Sequence, residues 1–124
     1  MAADLLVLRL ESTPDAPRRA RSELAEWLAP RVEREELERT KLLVSELVTN
    51  AVLHGEGEIR VRADVNQDRL LVEVIDEGAG FEHEIRAHDF DAVGGWGLTI
   101  VDSVASRWGV HEGTTHVWAD IALR

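Results

Sequence analysis

Apolar residues recur along the N-terminal half of the chain with two different periods, which predict strands and helices in turn. Residues 4–12 are dense in apolar side chains and predict a strand. Turn residues then lead into a helix over about 15–29 that Pro30 ends. A longer helix begins near Arg34 and ends at Gly55. The segments GEIRVRADV and RLLVEVID alternate with period two on either side of NQD, and they predict an antiparallel hairpin.

The pattern after Asp76 is irregular before it regains helical spacing. Residues 77–95 mix acids, histidines and small residues without a clear period, and they predict a loop. Residues 96–108 predict a helix that Gly109 stops, and residues 109–123 predict a terminal hairpin turned at its EG pair. The packing residues expected in this hairpin are Val117, Trp118 and Ile121.

This order of elements predicts an α+β fold, a two-layer sandwich in which helices cover one face of a mostly antiparallel sheet. The 124 residues suit one domain over residues 1–124. No apolar run is long enough to span a bilayer and the N-terminus lacks the basic start of a secretory signal, so a cytoplasmic protein without membrane contact is expected. The absence of Cys excludes disulfides and thiolate metal sites.

The charge balance argues against nucleic acid as a direct ligand. The chain has 14 basic and 24 acidic residues and a formal net charge of −10, so a polyphosphate backbone would be repelled. A small anionic ligand remains compatible with this charge, because backbone N–H groups can bind an anion locally.

The second predicted helix carries a polar stripe inside an apolar pattern. Glu46, Asn50 and His54 follow one another at four-residue steps, which puts them on one side of the helix. An acid and an amide beside apolar packing need partners. Glu46 could activate a hydroxyl and Asn50 could hold Mg²⁺. Alternatively, Glu46 could form an ion pair with a neighbouring arginine, and Asn50 could hydrogen-bond to the backbone of a strand and hold it in place.

Two glycine motifs complete the candidate chemistry. DxGxG, from Asp76, follows a predicted strand and would expose an acid that can accept a hydrogen bond from the amine of adenine; an ordinary turn has the same composition. GGWGL, from Gly94, leads into the third predicted helix and suits either phosphate binding or a flexible connection. It matches neither a Walker loop nor a Rossmann motif.

Taken together, these motifs resemble one known family. ExxxNAxxH from Glu46, DxGxG from Asp76, GxGL from Gly95 and GTT from Gly113 occur in the order and approximate spacing of the GHKL superfamily, the Bergerat-fold ATP-binding domain of gyrase, heat-shock chaperones, histidine kinases and mismatch-repair ATPases. The segments ELVTNAVLHG and GLTIVDSVASRWGV are most similar in sequence to the anti-sigma-factor serine/threonine kinases of bacterial partner-switching systems.

The resemblance implies ATP and Mg²⁺ as the bound groups. It makes Asn50 the Mg²⁺ ligand, Asp76 the acid that reads adenine and Glu46 the candidate general base. The other implied nucleotide-contacting residues are the lid hinge Gly78 and Gly80, the phosphate-contacting turn at Gly95 and Gly97 with the adjoining Leu98, and Thr115 of the late motif.

Two functions follow from the resemblance. In the first, the protein is a serine/threonine kinase that phosphorylates a small antagonist (anti-anti-sigma) protein and regulates a sigma factor. In the second, it is a non-catalytic ATP-sensing module that switches partners through its lid. The second is motivated by Leu53, where many relatives carry a basic residue, and by the bulky Trp96 within the glycine turn. A homodimer or partner surface near Trp27, on the first helix or the N-terminal strand, is also implied.

Overall fold

The computed structural model describes residues 4–78, 103–110 and 116–123. Within these ranges, two helices lie against one face of a five-stranded antiparallel sheet with strand order β1-β2-β3-β5-β4. The elements are β1 (Asp4–Leu10), α1 (Ala16–Leu28), α2 (Arg34–His54), β2 (Ile59–Asn66), β3 (Arg69–Ile75), β4 (Arg107–Val110) and β5 (Val117–Ala122). The predicted α+β two-layer sandwich is confirmed.

Helix α1 forms because one side of it is apolar at helical spacing. Ala16, Ala20, Leu24 and Leu28 recur every four residues, and all four are buried. A proline stands in the first turn, where its missing N–H costs nothing, and Pro30 follows shortly after the last residue. The predicted bounds of this helix are therefore confirmed to within one residue.

Helix α2 is the longest element and supplies much of the core. Its 21 residues end at His54, and the N–H of Gly55 closes the last turn on the carbonyl of Ala51 at 2.9 Å, as predicted. The core-facing side chains of α2 are Leu43, Val44, Leu47, Val48 and Ala51. Arg21 of α1 donates to Ser45 Oγ at 2.9 Å, which fixes α1 beside α2.

The central hairpin has the two-sided alternation that its sequence predicts. Val61 and Ala63 of β2 are buried beneath the helices, whereas Arg60 and Arg62 point to the uncovered face. The two strands are joined by a two-residue turn at Gln67 and Asp68, in which Gln67 adopts a positive φ of 57°. The hairpin prediction is confirmed, with a turn one residue shorter than NQD.

The structure corrects the predicted end of the third helix. Residues 103 and 104 are helical, but Arg107 and Trp108 belong to strand β4, which pairs with β5. The Ser106 N–H donates to the Asp120 carbonyl at 2.8 Å, so this non-local pairing overrides the helical spacing. Residues 96–102 of the predicted helix and the predicted turn at Glu112 and Gly113 lie outside the described residues. The two strands of the predicted terminal hairpin do pair, with Gly109 opposite Trp118.

Gly109 also has a different role from the predicted helix stop. A Cβ at this position would lie 3.0–3.1 Å from ring atoms of Trp118, which shares the uncovered face of the sheet. Glycine is therefore needed for the close approach of an indole. Val117 and Ile121 are packing residues of the helix-covered core, as predicted, whereas Trp118 packs on the opposite face.

No helix within residues 4–78, 103–110 and 116–123 is both long enough and apolar enough to cross a membrane.

The buried layer between helices and sheet predicts unequal costs for two leucine truncations. Leu70→Ala removes a fully buried side chain and should lower the free energy of unfolding by about 2–5 kcal/mol. Leu42→Ala, at a side chain 47% exposed on α2, should change it by less than about 0.5 kcal/mol. Urea denaturation followed by circular dichroism measures both values; equal effects would contradict this assignment of the core.

Candidate functional site

The polar stripe of α2 runs along the margin of its packed face. Glu46 is partly buried, Asn50 is only 8% exposed, and His54 is exposed at the end of the helix. Asn50 lies next in sequence to Ala51, which packs into the core, so the Asn50 amide is held where the helix meets the interior. A buried amide at the helix margin has the donor and acceptor chemistry that a polar ligand requires.

Glu46 makes no ion pair with any residue of the described part of the chain. The arginine that reaches this stretch of α2 from α1 is Arg21, and it bonds to Ser45 instead. The structural alternative for Glu46, pairing with a neighbouring arginine, is therefore not observed within the described residues. A partly buried carboxylate without such a pair is suited to act on a ligand hydroxyl.

Asp76 follows directly on β3 and its carboxylate is oriented by backbone donors. Oδ1 accepts hydrogen bonds from the Gly78 N–H at 2.7 Å and from the Glu56 N–H at 3.4 Å. The first bond closes a tight turn at the end of the strand, and the second crosses to the segment that leaves α2. Asp76 is thus held at the strand end in a defined orientation.

The absence of a side chain at Gly55 brings Asp76 against the last turn of α2. A Cβ at position 55 would lie 2.5 Å from Asp76 Cγ and 2.7 Å from the Ala51 carbonyl oxygen. The φ of Gly55 is −94°, which any residue can adopt, so space rather than conformation requires glycine here. The structure therefore brings the Asp76 carboxyl group to the helical turn that follows Asn50.

The other predicted site residues divide by location. Gly78 is the last described residue after β3 and bonds to Asp76. The predictions for Gly80, Gly95, Gly97, Leu98 and Thr115 lie outside the described residues. Leu53, one of the two expected departures from the resembled family, is 64% exposed on the last turn of α2.

Sequence reasoning missed three residues that build this junction. Gly55 was expected only as a helix stop, and Gly57 and Glu77 were not expected to contribute. Gly57 adopts a positive φ of 70°, and Glu77 accepts a hydrogen bond from the Glu58 N–H at 2.9 Å. The available signal was two glycines in the four residues between a helix and a strand, which indicates a constrained connection.

A family model agrees with the geometry. Residues 10–121 match the histidine kinase-like ATPase domain, so the match runs from the last residue of β1 to the penultimate residue of β5. Among solved structures, a crystal structure of the RsbU and RsbW domains of a Mycobacterium tuberculosis protein superimposes with a TM-score of 0.71 at 26% sequence identity. The match covers 98% of this chain and 32% of that one.

Curated relatives are similar over shorter segments. The serine-protein kinase RsbW of Bacillus subtilis is 33% identical over 99 residues, which are 65% of this chain and 62% of the relative. The anti-sigma F factor of Clostridium beijerinckii is 35% identical over 54 residues, which are 40% of this chain and 38% of the relative. The chain therefore spans less than two thirds of the length of these curated relatives.

The close approach at Gly55 makes a specific prediction. Gly55→Ala puts a methyl group against the Asp76 carboxyl, so we expect the carboxylate to be displaced and the affinity for Mg-ATP to fall about tenfold. Isothermal titration measures the affinity, and far-ultraviolet circular dichroism checks that the fold is retained. Leu53→Ala, two residues away and exposed, is the control. Undiminished binding by Gly55→Ala would contradict a role for Asp76 in this position.

Proposed function

Since the chain belongs to the histidine kinase-like ATPase domain family, we propose that it binds ATP with Mg²⁺ and acts as an anti-sigma-factor-type serine/threonine protein kinase. The observation that carries the proposal is the juxtaposition of the Asp76 carboxyl with the last turn of α2, the helix that also bears Asn50 and Glu46. These groups have complementary tasks toward one nucleotide. Asp76 would accept a hydrogen bond from adenine, Asn50 would bind the metal, and Glu46 would take the proton of the attacking hydroxyl.

Asp76 fits the role of the adenine-reading group. An ionised carboxylate only accepts hydrogen bonds, and adenine presents a donor amine where guanine presents a carbonyl oxygen. Two backbone N–H groups orient this carboxylate, so its direction is set before a ligand arrives. Guanine would leave two acceptors facing each other, which supports discrimination in favour of ATP.

Asn50 and Glu46 fit the phosphate end of the nucleotide. The buried Asn50 amide, on the helix whose last turn meets the Asp76 carboxyl, supports a polar ligand near the end of α2. Asn50 would hold Mg²⁺ through its amide oxygen; when bound, the metal neutralises charge that develops on the transferred phosphoryl group. Glu46, one turn earlier, would accept the proton of the attacking serine or threonine hydroxyl.

The partners in this proposal come from the curated relatives, which are named as anti-sigma F factor and as serine-protein kinase. We infer that this protein phosphorylates a small antagonist protein and binds a sigma factor, both in the cytoplasm. Exchange between the two partners would follow modification of the antagonist. The chain carries a net charge of −10, which suits binding to protein partners better than direct contact with nucleic acid.

Strand β1 supports a homodimer as part of the proposal. It is an edge strand of seven residues, so one side of its backbone lacks a strand neighbour within the described sheet. Leu5 and Val7 of this strand are 50% and 48% exposed. Trp27 lies nearby, under the guanidinium of Arg31 at 4.4 Å, and Arg31 bonds to Asp4 of β1 at 3.0 Å.

Phosphoryl transfer from radiolabelled ATP to candidate antagonist proteins tests the kinase directly. Glu46→Gln should lower the transfer rate roughly 10²–10⁴-fold, the range for loss of a general base, while ATP binding persists. Glu38→Gln, at an exposed acid of the same helix, should leave the rate unchanged. ATP binding without transfer by the wild-type protein, combined with a partner response that survives Glu46→Gln, would instead support the non-catalytic module.

Sedimentation of the Val7→Lys variant tests the dimer. A lysine at the centre of an exposed edge strand opposes strand pairing, so a wild-type dimer should become a monomer. Lysine at the exposed Leu42 of α2 is the control and should leave the oligomeric state unchanged. A monomeric wild-type protein at micromolar concentration would refute the dimer and would leave the proposal of an ATP site unaffected.

A further inference from the structure

The connection between α2 and β2 is fastened to the end of β3 by a set of short-range contacts. The Glu77 N–H donates to the Glu56 carbonyl at 2.8 Å, and the Glu58 N–H donates to Glu77 Oε2 at 2.9 Å. The first bond joins the two backbones beyond the last described register pair of β2 and β3, Arg60 with Ile75, and the second adds a side-chain attachment. The segment 55–58 therefore lies alongside residues 76–78 as an extension of the hairpin.

Glu77 lies across Gly57 as well as bonding to Glu58. A Cβ at Gly57 would lie 2.8 Å from Glu77 Cδ and 2.9 Å from Glu77 Cβ, so the acidic side chain occupies the space that a side chain at 57 would need. Gly57 also has a φ of 70°, in the left-handed region that favours glycine. Position 57 is thus constrained twice, once by conformation and once by the side chain of Glu77.

The same contacts determine where the Asp76 carboxylate points. Asp76 Oδ1 accepts from the Glu56 N–H, and Glu56 is the residue whose carbonyl is bonded to the Glu77 N–H. Glu58, held by the Glu77 side chain, fixes the other end of this short segment. If the Glu77 side chain were removed, the segment would lose one of its attachments and the donor at Glu56 would be less well placed.

Charge does not explain an acid at this position. Glu56 and Glu58 are exposed on either side of Gly57, and Asp76 precedes Glu77, so a fourth carboxylate adds like-charge repulsion. What the side chain contributes is an oxygen that accepts the Glu58 N–H. A glutamine retains such an oxygen without the charge, whereas an alanine does not.

We propose that Glu77 is a positioning residue for base recognition: its carboxylate fastens the segment 55–58 to the end of β3 and thereby holds the Asp76 carboxylate in the orientation that reads adenine. The inference rests on the proposed function, because it assigns Glu77 a task only if Asp76 contacts the base. It is separable from that function, because loss of this one attachment should weaken selectivity without abolishing nucleotide binding.

Titration of Mg-ATP and Mg-GTP into the wild-type chain and its variants tests the proposal. Glu77→Ala should bind ATP about tenfold more weakly than wild type does, and GTP nearly as well as wild type does. The preference for ATP over GTP should therefore decrease. The same decrease is expected in the reference variant Asp76→Asn. Glu77→Gln should restore most of the ratio. Glu56→Ala and Glu58→Ala remove the same charge from exposed side chains of the fastened segment, and both should resemble wild type.

Amide hydrogen exchange of the nucleotide-free protein provides a second measurement. The Glu58 N–H should exchange faster in Glu77→Ala than in wild type, and at the wild-type rate in Glu56→Ala. This measurement reports the attachment itself, whatever the nucleotide affinity. It also detects a variant that has lost its fold, because exchange would then accelerate throughout the sheet.

The outcomes separate the inference from the proposed function. A wild-type protein that binds no ATP overturns both. A wild type that prefers ATP, with an unchanged preference in Glu77→Ala, overturns the role of Glu77 alone. Equal losses for ATP and GTP in Glu77→Ala would mean that Glu77 only stabilises the fold. If Glu77→Gln were as unselective as Glu77→Ala, the effect would be due to charge and the inference would be overturned. The same would follow if Glu56→Ala or Glu58→Ala lost as much preference for ATP as Glu77→Ala.

Discussion

The contact between the last turn of α2 and the end of β3 is the constraint on which the candidate site depends. Gly55 leaves the space into which the Asp76 carboxyl fits, and the Ala51 carbonyl borders the same space. The helix cannot shift along the sheet, because Leu43, Leu47 and neighbouring side chains are buried in the core against it. Close packing of this apolar layer therefore sets the separation of polar groups that lie on different elements.

The elements of the fold were predictable wherever local pattern determines structure. The bounds of α1 and α2 and the alternation in β2 and β3 follow from spacing that one segment contains. The pairing of Gly109 and Val110 with β5 follows from the predicted terminal hairpin, but the start of β4 at Arg107 does not, since Trp108 fits a helical or a strand pattern equally well. The additional pairs at Arg107 and Trp108, with the bond of Arg107 to Asp120 at 3.1 Å, extend the ladder into residues whose spacing is helical.

The sequence nominates the candidate residues by their chemistry but does not reveal the contacts that position them. Residue type and four-residue spacing pointed to Glu46 and Asn50, and the strand end pointed to Asp76. The roles of Gly55, Gly57 and Glu77 depend on contacts between segments about twenty residues apart, which spacing alone does not reveal. A glycine that is needed for space, like Gly55, looks in the sequence the same as one that ends a helix.

The position of Asp76 beside the C-terminus of α2 has an electrostatic consequence for any nucleotide. A helix C-terminus carries partial negative charge, and Glu56, Glu58 and Glu77 add formal charge close by, so this end of the site is unfavourable for phosphates. The Glu56 and Gly78 N–H groups offset part of the cost for Asp76, and a donor amine on a neutral base would offset more. For the proposed ATP site, this charge distribution favours the orientation in which the base lies against Asp76 and the triphosphate extends away from these acids.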